Sequence, residues 1–202
     1  MRLMDRDLKI LKEVERWRVI FGRHIKELTG FTGTRACDNR LKILIDNGYL
    51  KRKKILFEYP YIYSLTSKSQ KLLNIIPKDN EIRLDQFRHN IAVLDVLISL
   101  IKQKIITLAD VVSEKEMHSL EGFGVRKHKP DFIFSHENNK IAVEIEMSLK
   151  SLYRLEANIK DNFLNYDGQI WYIDSQNNKL KNALAKFSEQ YTNMRIRNLE
   201  EV

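Results

Sequence analysis

Acidic side chains mark two short apolar runs in this 202-residue chain. The first reads Lys129-Pro130-Asp131-Phe132-Ile133-Phe134 and the second Ile141-Ala142-Val143-Glu144-Ile145-Glu146. Each is the length of a β-strand, and the polar residues 135–140 between them can turn the chain. Paired as a hairpin, the runs bring Asp131 near Glu144 or Glu146. Converging carboxylates are how proteins hold a divalent cation such as Mg²⁺ for phosphoryl chemistry. Asp131 with Glu144 or Glu146 is therefore a candidate metal-holding cluster, and Glu114 is a further candidate member. The same residues also suit a structural polar cluster, since acidic groups at strand ends often face solvent or pair with cations such as Lys127 and Lys129. Glu144 has the stronger claim to a special role. Its apolar flanks place it in the body of a sheet, where a carboxylate needs a partner.

The elements that must position these residues read as an α/β half. Residues 85–103 predict a helix with Phe87, Ile91, Leu94, Ile98 and Ile101 on one stripe and Val93, Val96, Leu97 and Leu100 beside it. Apolar surface on several sides suits a central helix, a dimer helix, or both, so a homodimer is one expectation. A strand is expected within 105–112 and a flexible turn at 121–124. An amphipathic helix is marked by Leu149, Leu152, Leu155, Ile159 and Phe163. A strand over 169–174, a helix over 179–190 and a short strand over 195–197 follow. His89 reads as a core histidine, and the five histidines show no metal-ligand spacing such as HExxH. Gly122-Phe123-Gly124 lacks the strand, helix and Lys of a phosphate loop.

The first 76 residues have a different character. Helices are expected over 7–17 and 23–28, and a third from an N-cap at Thr32 to about Asn47, with Gly48 as its terminator. Cys37, Leu41, Leu44 and Ile45 share one face of that third helix; Arg35, Asp38, Asn39 and Lys42 share the other. Runs 49–57 and 61–65 predict a hairpin, and Thr66 caps a short fourth helix over 67–73. Three helices, a hairpin and a helix are the order of a winged helix-turn-helix. Arg can read guanine edges and Asn adenine edges in the major groove, so Arg35, Asn39 and Lys42 suit the outward face of a recognition helix. Thr32 and Thr34 stand where phosphate contacts are common. Lys51, Arg52, Lys53 and Lys54 put cations on the wing. Tyr61 and Tyr63 suit hairpin core as well as base stacking. A protein-interaction module with a solvated basic strand is the competing reading.

Charge follows the same division. The net +8 is made of +9 over residues 1–76, where 17 Lys and Arg face 8 Asp and Glu, and −1 over the rest. A basic half joined to a near-neutral half delegates nucleic-acid affinity to the first. The lone cysteine excludes an internal disulfide and a cysteine zinc cluster. No secretory h-region and no membrane span is visible, so a cytoplasmic location is expected. The stretch 74–84, with Pro77, is the expected boundary, giving domains over 1–76 and 77–202. The fold class is α+β: an N-terminal winged helix-turn-helix followed by a small α/β domain with a mixed sheet.

Pro130-Asp131, a turn, and a strand ending Glu144-Ile145-Glu146 resemble the PD-(D/E)XK nuclease core. That resemblance implies magnesium on Asp131 and Glu144 and a lysine two residues after the Glu to assist the attacking water. Glu146 stands at the lysine position, a charge reversal that weighs against hydrolysis, and Lys150 is a candidate for a migrated cation.

Over nearly its whole length the chain resembles the replication-relaxation family of plasmid proteins, which includes MobC-like mobilisation proteins. The matching residues are Tyr63-Ser64-Leu65-Thr66, His89-Asn90-Ile91-Ala92-Val93, Ser113-Glu114, Lys129-Pro130-Asp131 and Val143-Glu144-Ile145-Glu146, with Ser148 and Ser151 beyond. The resemblance implies plasmid replication or conjugative mobilisation. Double-stranded DNA would be the partner, with a relaxase or replication initiator beside it. A Mg²⁺-dependent endonuclease using Asp131 and Glu144, and a winged-helix transcriptional regulator, are the alternatives.

Overall fold

The computed structural model describes residues 2–76, 84–121, 128–148 and 151–202. Pro77, the turn glycines Gly122 and Gly124, Lys127, Leu149 and Lys150 lie outside the described residues. The chain divides into two units, Met1–Leu94 and Asp95–Val202.

In the first unit α1 (Asp5–Arg16) buries Ile10, Leu11 and Val14, one stripe at helical spacing. α2 (Gly22–Leu28) ends at Gly30, and α3 (Thr34–Asp46) ends at Gly48, both left-handed at φ +71° and +70°. At each end two backbone bonds close the last turn: Gly30 and Phe31 donate to Glu27 and Lys26, and Gly48 and Tyr49 donate to Ile45 and Leu44. Only a residue without Cβ adopts that conformation cheaply, which is why glycine stops both helices. The N-cap of α3 is Gly33, one residue later than the Thr32 cap the sequence suggests, and it caps through extended backbone alone. Cys37, Leu41 and Leu44 form its buried face.

A bidentate ion pair ties α1 to α3. The Arg40 Nε donates to Asp7 Oδ1 at 2.6 Å and its Nη2 to Oδ2, while the Met4 N–H donates to Oδ2 at 2.7 Å. β1 (Leu50–Lys53) and β2 (Ile62–Leu65) pair antiparallel, Leu50 opposite Leu65 and Lys53 opposite Ile62. α4 (Ser67–Leu72) follows, its first turn capped by the Thr66 hydroxyl. Val19, Phe21, Ile62, Phe87 and Ile91 share a core, with Ile55, Leu56 and Tyr59 of the hairpin loop packed on it. Phe87 and Ile91 of α5 (Leu84–Lys102) join that core, and the chain's division into units falls inside α5 at Leu94, beyond the 76/77 boundary that composition suggests.

The second unit carries a mixed sheet of five strands in the order β3-β4-β5-β6-β7. β3 (Val111–Ser113), β4 (Phe132–His136) and β5 (Asn139–Glu146) run antiparallel; β6 (Gly168–Ile173) and β7 (Met194–Asn198) continue parallel to β5. The β4–β5 turn is tight, with Glu137 and Asn138 both at positive φ, +48° and +67°. Two consecutive residues of that kind match the right-handed strand twist. α7 (Leu152–Asn165) links β5 to β6 and α8 (Asn178–Gln190) links β6 to β7. Leu155, Ile159, Trp171, Ile173, Leu180, Leu184 and Met194 fill the core between these helices and the sheet.

Three expectations are corrected here. Only residues 111–113 of the stretch 105–112 and its neighbour form strand. Asp110 captures the Thr107 N–H and hydroxyl at 3.0 and 2.6 Å, folding Leu108–Asp110 into a 3-10 turn instead. α6 (Glu114–Glu121) is a helix the sequence reading lacks; Ser113 and Glu116 exchange hydrogen bonds as a capping box at its start. On α7 the buried stripe is Leu155, Ile159 and Asn162, whereas Leu152 and Phe163 are exposed.

Candidate functional site

β5 is the middle strand, and Glu144 lies in it opposite Trp171 of β6. Burial on both sides is what the Ile141-Ala142-Val143 approach implies, and Glu144 is only 7% exposed. Its partners come from two other segments. Glu144 Oε1 lies 2.6 Å from His128 Nε2 and accepts from the Asn162 amide at 2.8 Å. Asn162 is fully buried on α7, and its Oδ1 has no hydrogen-bond partner. Asp131 stands just before β4, opposite Glu144 in the extended register. Its Oδ2 accepts from the Ile145 N–H at 2.7 Å, and its carbonyl accepts from the Glu114 N–H at 3.0 Å.

The electrostatics follow from this packing. Burial disfavours the charged carboxylate and holds Glu144 above its ordinary pKa, against the pull of the His128 and Asn162 hydrogen bonds; the nearby Asp131 charge adds to the rise. For His128 burial works against charging. The hydrogen bond to Glu144 and the carboxylates of Glu144, Asp161 and Asp131 outweigh it and raise its pKa. The result is an acid–imidazole pair, the acid buried and the imidazole half-buried, closed by an amide.

Magnesium takes oxygen ligands in near-octahedral array and keeps several waters. Here one oxygen of Glu144 is committed to an imidazole and an amide, and one oxygen of Asp131 to the backbone. Among the described residues no group of three or more His, Cys, Asp or Glu is placed to hold a metal ion. One oxygen of each carboxylate is thus already engaged within the fold. Glu146 is half-buried at the strand's end, where it accepts from the Ser148 N–H at 3.3 Å. The Glu114 side chain lies 3.6 Å from His118 on α6. His89, expected in the core, is half-buried on α5.

Sequence reasoning brought Asp131 and Glu144 together but missed His128 and Asn162. Asn162 leaves a trace, as the one polar member of the spacing Leu155, Ile159, Asn162. His128 leaves none beyond its nearness to Asp131.

In the first unit, Thr32, Thr34, Arg35, Asn39 and Lys42 are all exposed on or just before α3. Lys51, Arg52, Lys53 and Lys54 are exposed along β1 and its exit. The Arg52 guanidinium lies 4.7 Å over the Tyr61 ring, and Lys54 Nζ lies 5.4 Å from the same ring. Tyr63, by contrast, is half-buried, and burial together with the Asp38 charge raises its pKa.

An exposed basic helix and hairpin in one unit, and a buried acidic cluster on a mixed sheet in the other, define a two-unit α+β protein. No described helix is long and apolar enough to cross a membrane. The chain belongs to the replication-relaxation family, whose model matches residues 11–167. That span covers every candidate site residue from Thr32 to Asn162. No curated protein and no solved structure matches the chain.

Proposed function

We propose that the chain is a DNA-binding accessory protein of a plasmid or other mobile element, acting in replication or conjugative mobilisation. Membership of the replication-relaxation family supports the process. The observation that carries DNA binding is the joint exposure of Arg35, Asn39 and Lys42 on α3 and of Lys51 to Lys54 on the hairpin. In this reading the first unit is a winged helix: α3 enters the major groove, Thr32 and Thr34 meet phosphates, and the hairpin is the wing. The second unit is a nuclease-like scaffold whose Asp131 and Glu144 hold strands together. It serves assembly with a relaxase, a replication initiator or a second copy of the chain.

Affinity for duplex DNA tests this reading. Arg35→Ala and Lys53→Ala are each expected to weaken binding about threefold to tenfold, and unchanged binding in both variants overturns the docking scheme. Plasmid DNA incubated with the protein and Mg²⁺ or Mn²⁺ is expected to remain unnicked. Nicking that disappears in Asp131→Asn would establish the endonuclease instead.

A further inference from the structure

The hairpin tip carries a feature that phosphate contacts do not require. Phe57 is 94% exposed, although burying a phenyl ring is worth roughly 1.5–3 kcal/mol. Single exposed apolar residues are ordinary on protein surfaces, so exposure by itself decides nothing. Two further observations do. First, the loop is held on both sides of Phe57. Ile55, Leu56 and Tyr59 pack on the core formed by Val19, Phe21, Ile62, Phe87 and Ile91. Tyr59 stands edge-on to Phe87 at 5.1 Å, and its N–H donates to the Leu56 carbonyl at 3.2 Å. That bond closes a four-residue turn with Phe57 and Glu58 at its corner. The ring is therefore presented by a fixed turn. Second, the strand that leads into the turn is cationic: Lys51, Arg52, Lys53 and Lys54 are exposed along it against the single acid Glu58 of the hairpin, and Lys54 Nζ lies 5.8 Å from the Phe57 ring.

An apolar protein partner would have to desolvate those cations without return, whereas a polyanion with flat apolar surfaces inside it satisfies both. Duplex DNA is such a partner. A turn corner bearing one ring is narrow enough for a minor groove about 6 Å wide, which a helix about 10–12 Å across cannot enter. We propose that Phe57 is a wedge that inserts between base pairs from the minor groove, while Lys51 to Lys54 hold the flanking phosphates, so that the protein unstacks and distorts the duplex it binds. Loss of stacking is offset by contact with the ring and by the phosphate contacts the distortion permits. This inference rests on the DNA-binding reading above and deepens it.

The experiment needs no knowledge of the bound sequence. Closed circular plasmid is relaxed by a topoisomerase in the presence of wild type, Phe57→Ala, Phe57→Trp and the control Tyr153→Ala, which alters a ring 84% exposed on α7. Wild type and Phe57→Trp are expected to leave a linking-number shift that grows with bound protein, and Tyr153→Ala to behave as wild type. Phe57→Ala is expected to lose most of the shift, with a melting temperature unchanged and duplex affinity lowered by about fivefold to tenfold. Trp17 and Trp171 are buried, at 7% and 1% exposure, so the added emission of Phe57→Trp reports on the tip. It is expected to be quenched by duplex DNA and indifferent to phosphatidylserine vesicles. If wild type binds duplex but shifts no linking number, if Phe57→Ala keeps the shift, or if duplex leaves that emission unquenched, the wedge is wrong and DNA binding stands. Emission that changes with vesicles and not with duplex assigns the tip to a lipid surface. If wild type shows no salt-sensitive affinity for the plasmid, the DNA-binding reading fails and the wedge with it.

Discussion

Glu144 is set apart from the other acidic residues by what surrounds it. Asp131, Glu144 and Glu146 read alike in sequence, as acids on apolar runs. In the fold Glu144 joins an imidazole and an amide from segments distant in the chain, His128 and Asn162. Removing Glu144 leaves the buried Asn162 amide and the half-buried His128 ring without their acceptor, a loss that approaches the roughly 3–5 kcal/mol of a broken buried pair. Glu144→Ala is accordingly expected to destabilise the protein by about 3 kcal/mol. Glu146→Ala, at the half-buried strand end, is expected to cost less than about 1 kcal/mol. Urea unfolding of the two variants side by side checks the difference; equal losses would mean that the bonds to His128 and Asn162 add nothing to stability. The proximity of Asp131 and Glu144 was legible, because hairpin register follows from two strands and a short turn. The partners were not, because residue types and local periodicity do not specify which helix face meets a strand from elsewhere.

Elements were most legible where local chemistry ends them. Gly48 stops α3 as its sequence suggests, Thr66 caps α4, and β6, α8 and β7 fall within a residue or two of expectation. α6 was hidden because it is short and polar, with Met117 its one buried apolar side chain in the described part and its stability drawn from the Ser113–Glu116 box. The tie between α1 and α3 was equally hidden, since Asp7 and Arg40 are ordinary surface residues by type. Burial alone would raise the Asp7 pKa; the Arg40 and Met4 hydrogen bonds outweigh it and leave the pKa below its ordinary value of 3.8. A carboxylate depressed on folding adds stability that is present above its unfolded pKa and is lost as pH falls through the folded value. Asp7 therefore supports the fold at neutral pH; that support begins to fade only below about pH 4 and ends once pH falls beneath the folded value. Asp7→Asn is expected to cost about 3 kcal/mol at pH 7 and to flatten the acid limb of stability below that pH. Melting temperatures from pH 2 to 7 measure both, and a variant with an unaltered acid limb would remove Asp7 from the account.

At the scale of the whole molecule the charge division is the dominant property. The +9 of residues 1–76 includes six exposed cations on α3 and the hairpin, Arg35, Lys42, Lys51, Arg52, Lys53 and Lys54. If each meets one phosphate, log affinity for duplex DNA falls against log salt with a slope of about −5, and each alanine replacement lowers that slope by about one. Titrations at several salt concentrations read the slope directly; a value near zero would mean that the cations face something other than a polyanion. The sequence disclosed this asymmetry in full, because charge is additive and needs no fold to be counted. The lone cysteine has a practical consequence for such measurements. Cys37 is 1% exposed in α3, and burial, with the Asp38 charge, pushes its thiol up to about 11. A thiol that is sealed and protonated at neutral pH does not compete for maleimides. A cysteine placed on the hairpin would therefore take a dye alone, and the native chain already serves as its own unlabelled background.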